Sequence, residues 1–173
     1  MANTIRLYDN SPIDDWLTIS NGATEVFISV IGLSGSRLAK TEDEKILIVW
    51  ILEHDQSALG IGTVDFDLSE MPWDKRRLNL QKQFMFKVLE GIENELGWEV
   101  LNYIPNKKFL KTAVIYFRKM LQQLDEAIID DEAINEWIAD SKEEEPMKNG
   151  FPLCKKHKIL LTVFGCHICN HCK

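Results

Sequence analysis

The sequence lacks any hydrophobic run long enough to cross a membrane. Its longest apolar run extends from Ile46 to Leu52, which is seven residues, whereas a transmembrane helix needs about 20. Residues Met1 to Asn10 also lack the apolar core that a secretory signal peptide requires. We therefore expect a cytoplasmic protein that makes no membrane contact.

Positive charge is also scarce. The chain has 20 Lys and Arg residues against 27 Asp and Glu residues, which gives a net charge of −7. Non-specific binding to nucleic acids comes from Lys and Arg side chains that neutralise phosphates. The charge balance therefore argues against a general nucleic-acid binder and fits a protein whose partner is basic.

Cysteine is missing from the first 153 residues. The last twenty residues contain all four cysteines and three of the four histidines: Cys154, His157, Cys166, His167, Cys169, His171 and Cys172. Without a secretory signal, such a cluster indicates a metal site more often than a disulfide framework.

The spacing within this cluster predicts one structural zinc ion. Cys154 and His157 form one pair separated by two residues, and Cys166 and Cys169 form a second. Each pair can direct two donors at one tetrahedral ion, and two pairs fill a closed structural Zn²⁺ site. A module this short cannot bury enough apolar surface to fold alone, whereas zinc binding supplies roughly 10–16 kcal/mol in finger peptides.

Other uses of the same residues remain open at this point. Cys172 continues the spacing, so it is a substitute ligand, and four thiolates could also hold an iron–sulfur cluster. A reduced, metal-free tail is a further alternative. Zinc is favoured because it accounts for His157. His167 and His171 are expected to be exposed, or to replace a weak ligand.

The rest of the chain has the patterns of a mainly α fold with a minor β component (α+β). Short strands are predicted over residues 4–7 and 63–68. Apolar side chains recur at helical spacing in four further segments, for which we predict helices over residues 23–33 (with a strand as the alternative), 78–96, 106–124 and 127–139.

Local signals refine these helices. Thr41, followed three residues later by Glu44, has the form of a capping box directly before the apolar run KILIVWIL, which favours a buried helix there. Gly97 is predicted to end helix 78–96, and Asn106 to begin the next helix. A short connector joins these two helices, so they should form a helical hairpin.

Composition divides the chain into three parts. Residues 1–141 are predicted to form an acidic, mainly helical domain, residues 142–150 a linker, and residues 151–173 a zinc-binding tail of the knuckle or ribbon type. Between Asp125 and Glu145 there are ten acidic residues and one lysine, whereas the chain from Pro146 onward has five lysines and no acidic residue. The two charge signs are therefore separated along the chain.

A second group of titratable residues surrounds His54. Glu53 and Asp55 flank it, and Asp65 and Asp67 follow. A general base with an orienting carboxylate could be assembled from such residues. Neighbouring positions on a helix do not face each other, however, and the spacing matches no known mechanism. No catalytic residue is therefore assigned.

The tail has the form FPLC..H before a short apolar strand and FGC..CN after it, and the body contains the stretch EHDQSALGIGTVDFDLSEMPW. In both respects the chain resembles an uncharacterised group of Bacillota proteins with a C-terminal CxxH…CxxC tail. That resemblance implies the metal-binding tail but no activity.

The leading hypothesis is a non-enzymatic protein that binds a macromolecule and carries a structural zinc site. Its acidic helical face would engage a basic protein partner, as an immunity protein or antitoxin engages its toxin. One alternative is a nucleic-acid-associated regulator that uses the basic zinc tail. Another is an enzyme of unrecognised mechanism around His54.

Overall fold

The computed structural model describes residues 1–172; Lys173, the last residue of the predicted tail, lies outside them. The described residues form six α-helices and a small three-stranded sheet, so the predicted mainly α class with a minor β component is confirmed. The strands are β1 (Ala2–Arg6), β2 (Leu17–Ser20) and β3 (Phe66–Asp67). The helices are α1 (Asn21–Leu38), α2 (Glu42–Leu52), α3 (Leu78–Glu93), α4 (Lys107–Gln123), α5 (Asp131–Ser141) and α6 (His167–His171).

The sheet has the strand order β2-β1-β3. Strand β1 pairs antiparallel with β2 and parallel with β3, with Ile5 opposite Phe66. Strand β3 is shorter than the predicted strand over residues 63–68, because Thr63 forms only an isolated bridge with Asp55. The sheet therefore holds the segment after α2 against the start of the chain.

Helix α1 lies at the centre of the body, where it contacts α2, α3 and the sheet. Every residue from Phe27 to Gly35 is buried. The two glycines in this stretch allow close packing: a Cβ on Gly35 would lie 2.3 Å from Ile48 Cδ1, and one on Gly32 would lie 2.5 Å from Leu52 Cδ2. The predicted helix over residues 23–33 is therefore confirmed against the alternative of a strand. Its glycines are sites of close packing against α2.

The predicted capping box begins α2. The Thr41 hydroxyl accepts from the Glu44 backbone N–H at 3.2 Å, and the Glu44 carboxylate accepts from the Thr41 N–H at 3.1 Å. The following run from Leu47 to Leu52 is entirely buried. Uniform burial fits a buried helix or a buried strand alike, so the capping box is what favours the helix here.

Several predicted helix boundaries are wrong, and α1 continues to Leu38 instead of ending near residue 33. Helix α3 ends at Glu93, because Glu95 adopts a left-handed conformation (φ 59°) and the Leu96 N–H donates to Gly91 O at 2.8 Å, which closes a Schellman turn before Gly97 is reached. Helix α5 begins at Asp131 and not near residue 127, because the Asp130 carboxylate caps it through the Ala133 N–H at 3.1 Å. Helices α3 and α4 pack against each other, as the predicted hairpin requires.

The C-terminal tail packs on the body. Ile159 and Leu160 are 0% and 1% exposed and belong to the same hydrophobic cluster as α1 and α2. The Leu160 N–H donates to Ser36 Oγ at 2.9 Å. The predicted linker contains a short 3-10 helix, Met147–Asn149. The division of the chain at residues 142–150 stays a prediction, but tail and body share one core.

Among residues 1–172, no helix combines the length and apolar character that crossing a bilayer requires.

Replacing Gly91 by alanine is expected to lower the free energy of unfolding by about 1–3 kcal/mol. The added Cβ would lie 2.1 Å from Ser34 Oγ, where α1 and α3 are in contact, and would disturb the hydrogen bond from Ser34 to Val88 O. Gly22→Ala is the matched control, since nothing lies within 4 Å of its Cβ and alanine is the better helix former. Urea denaturation measures both; equal free energies of unfolding would contradict this packing.

Candidate metal centre

Two tight turns of the tail present the predicted ligands. In the first, the Lys158 N–H donates to Cys154 O and the Cys154 N–H donates to Ile159 O, each at 2.8 Å. This closed turn directs Cys154 and His157 to the same side. In the second turn, Gly165 has φ 87° and forms an isolated antiparallel bridge with Thr162. This turn is followed directly by α6. Such a positive φ favours glycine, which explains its position immediately before Cys166.

Helix α6 supplies the other two sulfur atoms. Cys166 is its N-cap residue, and its Sγ accepts from the Cys169 N–H at 3.4 Å. Positions three residues apart lie on one helix face, so Cys166 and Cys169 point together at the first turn. Four ligand atoms, from Cys154, His157, Cys166 and Cys169, lie within 4.8 Å of one another.

The distances in this cluster fit a tetrahedral ion. His157 Nδ1 lies 3.8, 3.5 and 3.4 Å from the Sγ atoms of Cys154, Cys166 and Cys169, and the Cys154 and Cys169 sulfurs are 3.9 Å apart. An ion that bonds sulfur at about 2.3 Å and nitrogen at about 2.0 Å gives tetrahedral edges of about 3.8 Å between sulfurs and about 3.5 Å between sulfur and nitrogen. The cluster could therefore hold a metal ion.

Burial shifts the pKa values of the ligand side chains. His157 is 2% exposed, and burial lowers its pKa, which keeps a ring nitrogen free to bind. Burial raises the pKa of the Cys166 thiol to about 12. Burial also opposes ionisation of Cys154, but hydrogen bonds from the backbone of His157 and Lys156 bring the pKa of that thiol below its usual value. A bound cation would stabilise all the thiolates.

Cys172 lies outside this cluster. It is exposed and follows the last residue of α6, and the group of four converging ligands among the described residues does not include it. His157 takes the position that a fourth thiolate would occupy in an iron–sulfur site. The geometry therefore favours the Cys₃His set over the alternative with Cys172.

His167 and His171 are placed differently from either expectation. His167 is 4% exposed, and its Nδ1 lies 2.9 Å from Asp55 Oδ2. His171 Nε2 contacts the same carboxylate oxygen. Both imidazoles therefore face the body, on a different side of α6 from the sulfur atoms. Their spacing of four residues was the one signal in the sequence for this arrangement.

The residues around His54 do not converge on it. The His54 Nδ1–H donates to Trp50 O at 2.7 Å, and its ring lies 4.1 and 5.0 Å from the rings of Trp50 and Phe66. Burial lowers the pKa of His54 to about 4. This histidine is neutral and only partly exposed, and within residues 1–172 no carboxylate orients it.

The four acidic residues of that group have separate partners. Asp65 accepts from the Thr4 N–H at 2.7 Å, and Asp67 forms an ion pair with Arg6 at 2.7 Å. Glu53 accepts from Trp137 Nε1–H at 3.1 Å, and burial raises its pKa to about 7. Asp55 contacts two histidines, and these are the histidines of α6.

Compared with models of known protein families, with curated proteins and with solved structures, the chain gives no match. The resemblance of its tail to a Bacillota group stays a prediction, and function has to be argued from the geometry.

The exchange of Cys169 for serine is expected to abolish metal binding at this centre and to release the tail from the body. The amides of Cys154 and Leu160, which donate to Ile159 O and Ser36 Oγ, should exchange hydrogen more than about a hundredfold faster, because metal contributes roughly 10–16 kcal/mol in such modules. Amides in α3 should be unaffected. Hydrogen exchange read by mass spectrometry measures this difference.

Cys172→Ser is the matched control. It makes the same chemical change three residues further on, outside the ligand cluster. Metal content and amide exchange should stay as in the unchanged chain. Identical exchange in the two variants would contradict the assignment of Cys169 as a ligand.

Proposed function

We propose that this protein is a non-enzymatic binding protein, stabilised by zinc, that docks a basic macromolecular partner on an acidic surface. The zinc ion fastens the tail to the helical body. The acidic surface, defined as the carboxylates of residues 125–145, makes the contact with the partner.

The donor set supports zinc as the ion. Three thiolates and one imidazole in tetrahedral arrangement are characteristic of structural zinc, and soft sulfur ligands disfavour magnesium and calcium. All four positions are taken by protein atoms. No position is left for a substrate or an activated water, so this ion has a structural role.

The acidic surface is the observation that carries the proposal. All ten of its carboxylate residues are exposed. Among the described residues, only one of them, Asp131, forms an ion pair, with Lys75 at 2.6 Å. A dense and largely uncompensated negative charge attracts a basic partner and accelerates its association.

Apolar side chains lie among these charges. Ile128, Trp137 and Ile138 are only partly buried, although they contact the core. Interfaces commonly place an aromatic or aliphatic anchor inside a polar rim. A basic partner that covers α5 would therefore find both charge complementarity and apolar contact, as a toxin finds on its immunity protein or antitoxin.

The proposal is tested with the triple variant Glu126→Gln, Glu136→Gln, Glu143→Gln. Within residues 1–172 none of these three side chains forms an ion pair, so the fold should be unaffected. Proteins captured from the native cell by the immobilised full chain should include a basic protein. The affinity of this basic protein for the triple variant should be about tenfold lower than for the unchanged chain, since exposed charge pairs contribute roughly 0.2–1 kcal/mol each. Added salt should weaken the binding further, because it screens exposed charges.

The matched control removes three exposed, unpaired carboxylates elsewhere: Asp14→Asn, Glu42→Gln, Glu90→Gln. It changes the net charge equally, so capture should stay at the level of the unchanged chain. Equal loss in both variants would show a general charge effect and would contradict a specific acidic surface.

The alternative function uses the basic tail. Lys155, Lys156 and Lys158 are exposed on the first metal-binding turn, where they could contact phosphates. Binding of this kind is strongest at low salt. If the chain captures no basic protein but retards nucleic acid in a gel at low salt, the regulator hypothesis replaces the proposal above.

A further inference from the structure

Helix α6 presents ligand side chains on two faces. Cys166 and Cys169 face the sulfur cluster, whereas His167 and His171, four residues apart, face Asp55 just beyond α2. One donor atom from each of Asp55, His167 and His171 lies within 4.8 Å of the others. The side chains of Asp55 and His167 are both only 2% exposed. Three electron-rich groups thus converge in a buried space.

The outer nitrogens of both imidazoles have acceptors. His167 Nε2 lies 2.6 Å from Ser29 Oγ. The Ser29 hydroxyl donates its own hydrogen to Glu25 O at 2.8 Å, so it accepts from the His167 Nε2–H. His171 Nδ1 lies 3.2 Å from the Glu25 carboxylate, to which it donates.

The inner nitrogens face one carboxylate oxygen. His167 Nδ1 lies 2.9 Å from Asp55 Oδ2, and His171 Nε2 contacts the same oxygen. The other oxygen, Asp55 Oδ1, accepts from the Ser57 N–H at 3.0 Å. Imidazole nitrogens and a carboxylate oxygen are donor atoms for a divalent transition-metal ion, and these three converge closely enough for one ion to contact them all.

We propose that Asp55, His167 and His171 bind a second divalent transition-metal ion, separate from the Cys₃His centre. Two imidazoles and a carboxylate suit zinc and similar borderline ions. The contacts of Ser29, Glu25 and Ser57 are the outer hydrogen bonds that fix ligand orientation and tautomer in such sites. Because Asp55 belongs to the body and both histidines to the tail, this ion links the two.

Three protein ligands leave a coordination position open. A cleft of about 180 Å³ lies beside the site, lined among others by Glu25, Tyr103, His171 and Cys172. Pockets for small-molecule ligands are usually about 300–1,000 Å³. The cleft therefore suits a water molecule as the remaining ligand, which agrees with a linking and not a catalytic ion.

The test is the zinc content of the full chain after loading with zinc chloride and exchange into metal-free buffer. The unchanged chain should hold about two zinc ions, and X-ray absorption should give an average of about 1.5 sulfur ligands per zinc. Asp55→Asn should hold about one, with about three sulfurs per zinc. The asparagine amide has almost the volume of the carboxylate and keeps a hydrogen-bonding group at this position, so this variant should keep the tail docked.

His171→Gln provides a second route to the same result, in case Asp55→Asn fails to fold. It should also hold about one zinc with about three sulfur ligands. The control is Glu90→Gln, which removes a charge at an exposed position distant in sequence from the three proposed ligands. It should keep about two zinc ions. One zinc ion in the unchanged chain, or the same content in all variants, would overturn the proposal and leave the triad as a hydrogen-bonded contact.

Discussion

Three sulfurs and one ring nitrogen of the tail converge closely enough to hold one metal ion. Residues 151–172 contribute a few buried side chains, of which Ile159 and Leu160 reach deepest into the core. The two turns that carry the ligands are otherwise held by a few backbone hydrogen bonds and isolated bridges. A metal ion at this centre therefore stabilises both turns at once, and it sets the direction in which α6 leaves the second one.

The position of α6 has consequences for the body. Once Cys166 and Cys169 are directed at the metal centre, His167 and His171 are directed at Asp55, because the two pairs lie on different faces of one short helix. Close packing assists, since Gly32 in α1 leaves room for Ile159. The tail thus contacts the body through Asp55 and Gly32, and its own conformation depends on the cluster of four ligands.

Sequence patterns located the features whose causes are local. The two CxxH and CxxC pairs predicted the metal-binding cluster because tight turns bring such pairs together regardless of the rest of the fold. The Thr41–Glu44 capping box and the Asn106 cap were found for the same reason. The end of α3 was missed because a glutamate, Glu95, takes the left-handed position that usually belongs to glycine.

Features that depend on tertiary contact could not be read from the sequence. Asp55 and His171 are 116 positions apart, and only the docking of the tail brings them together. His54 was grouped with Asp55 because they are neighbours in sequence, whereas its ring packs against Trp50 and Phe66. Gly32 and Gly35 could have ended a helix, and their role became clear only from the side chains of α2 that pack on them.

The central claim is that one zinc ion, held by Cys154, His157, Cys166 and Cys169, orders the tail. The most direct measurement is anomalous scattering from crystals, recorded just above and just below the zinc absorption edge. The account predicts a peak between the three sulfurs and His157 Nδ1 that disappears below the edge. A tail with the same conformation and no peak at that point would contradict it.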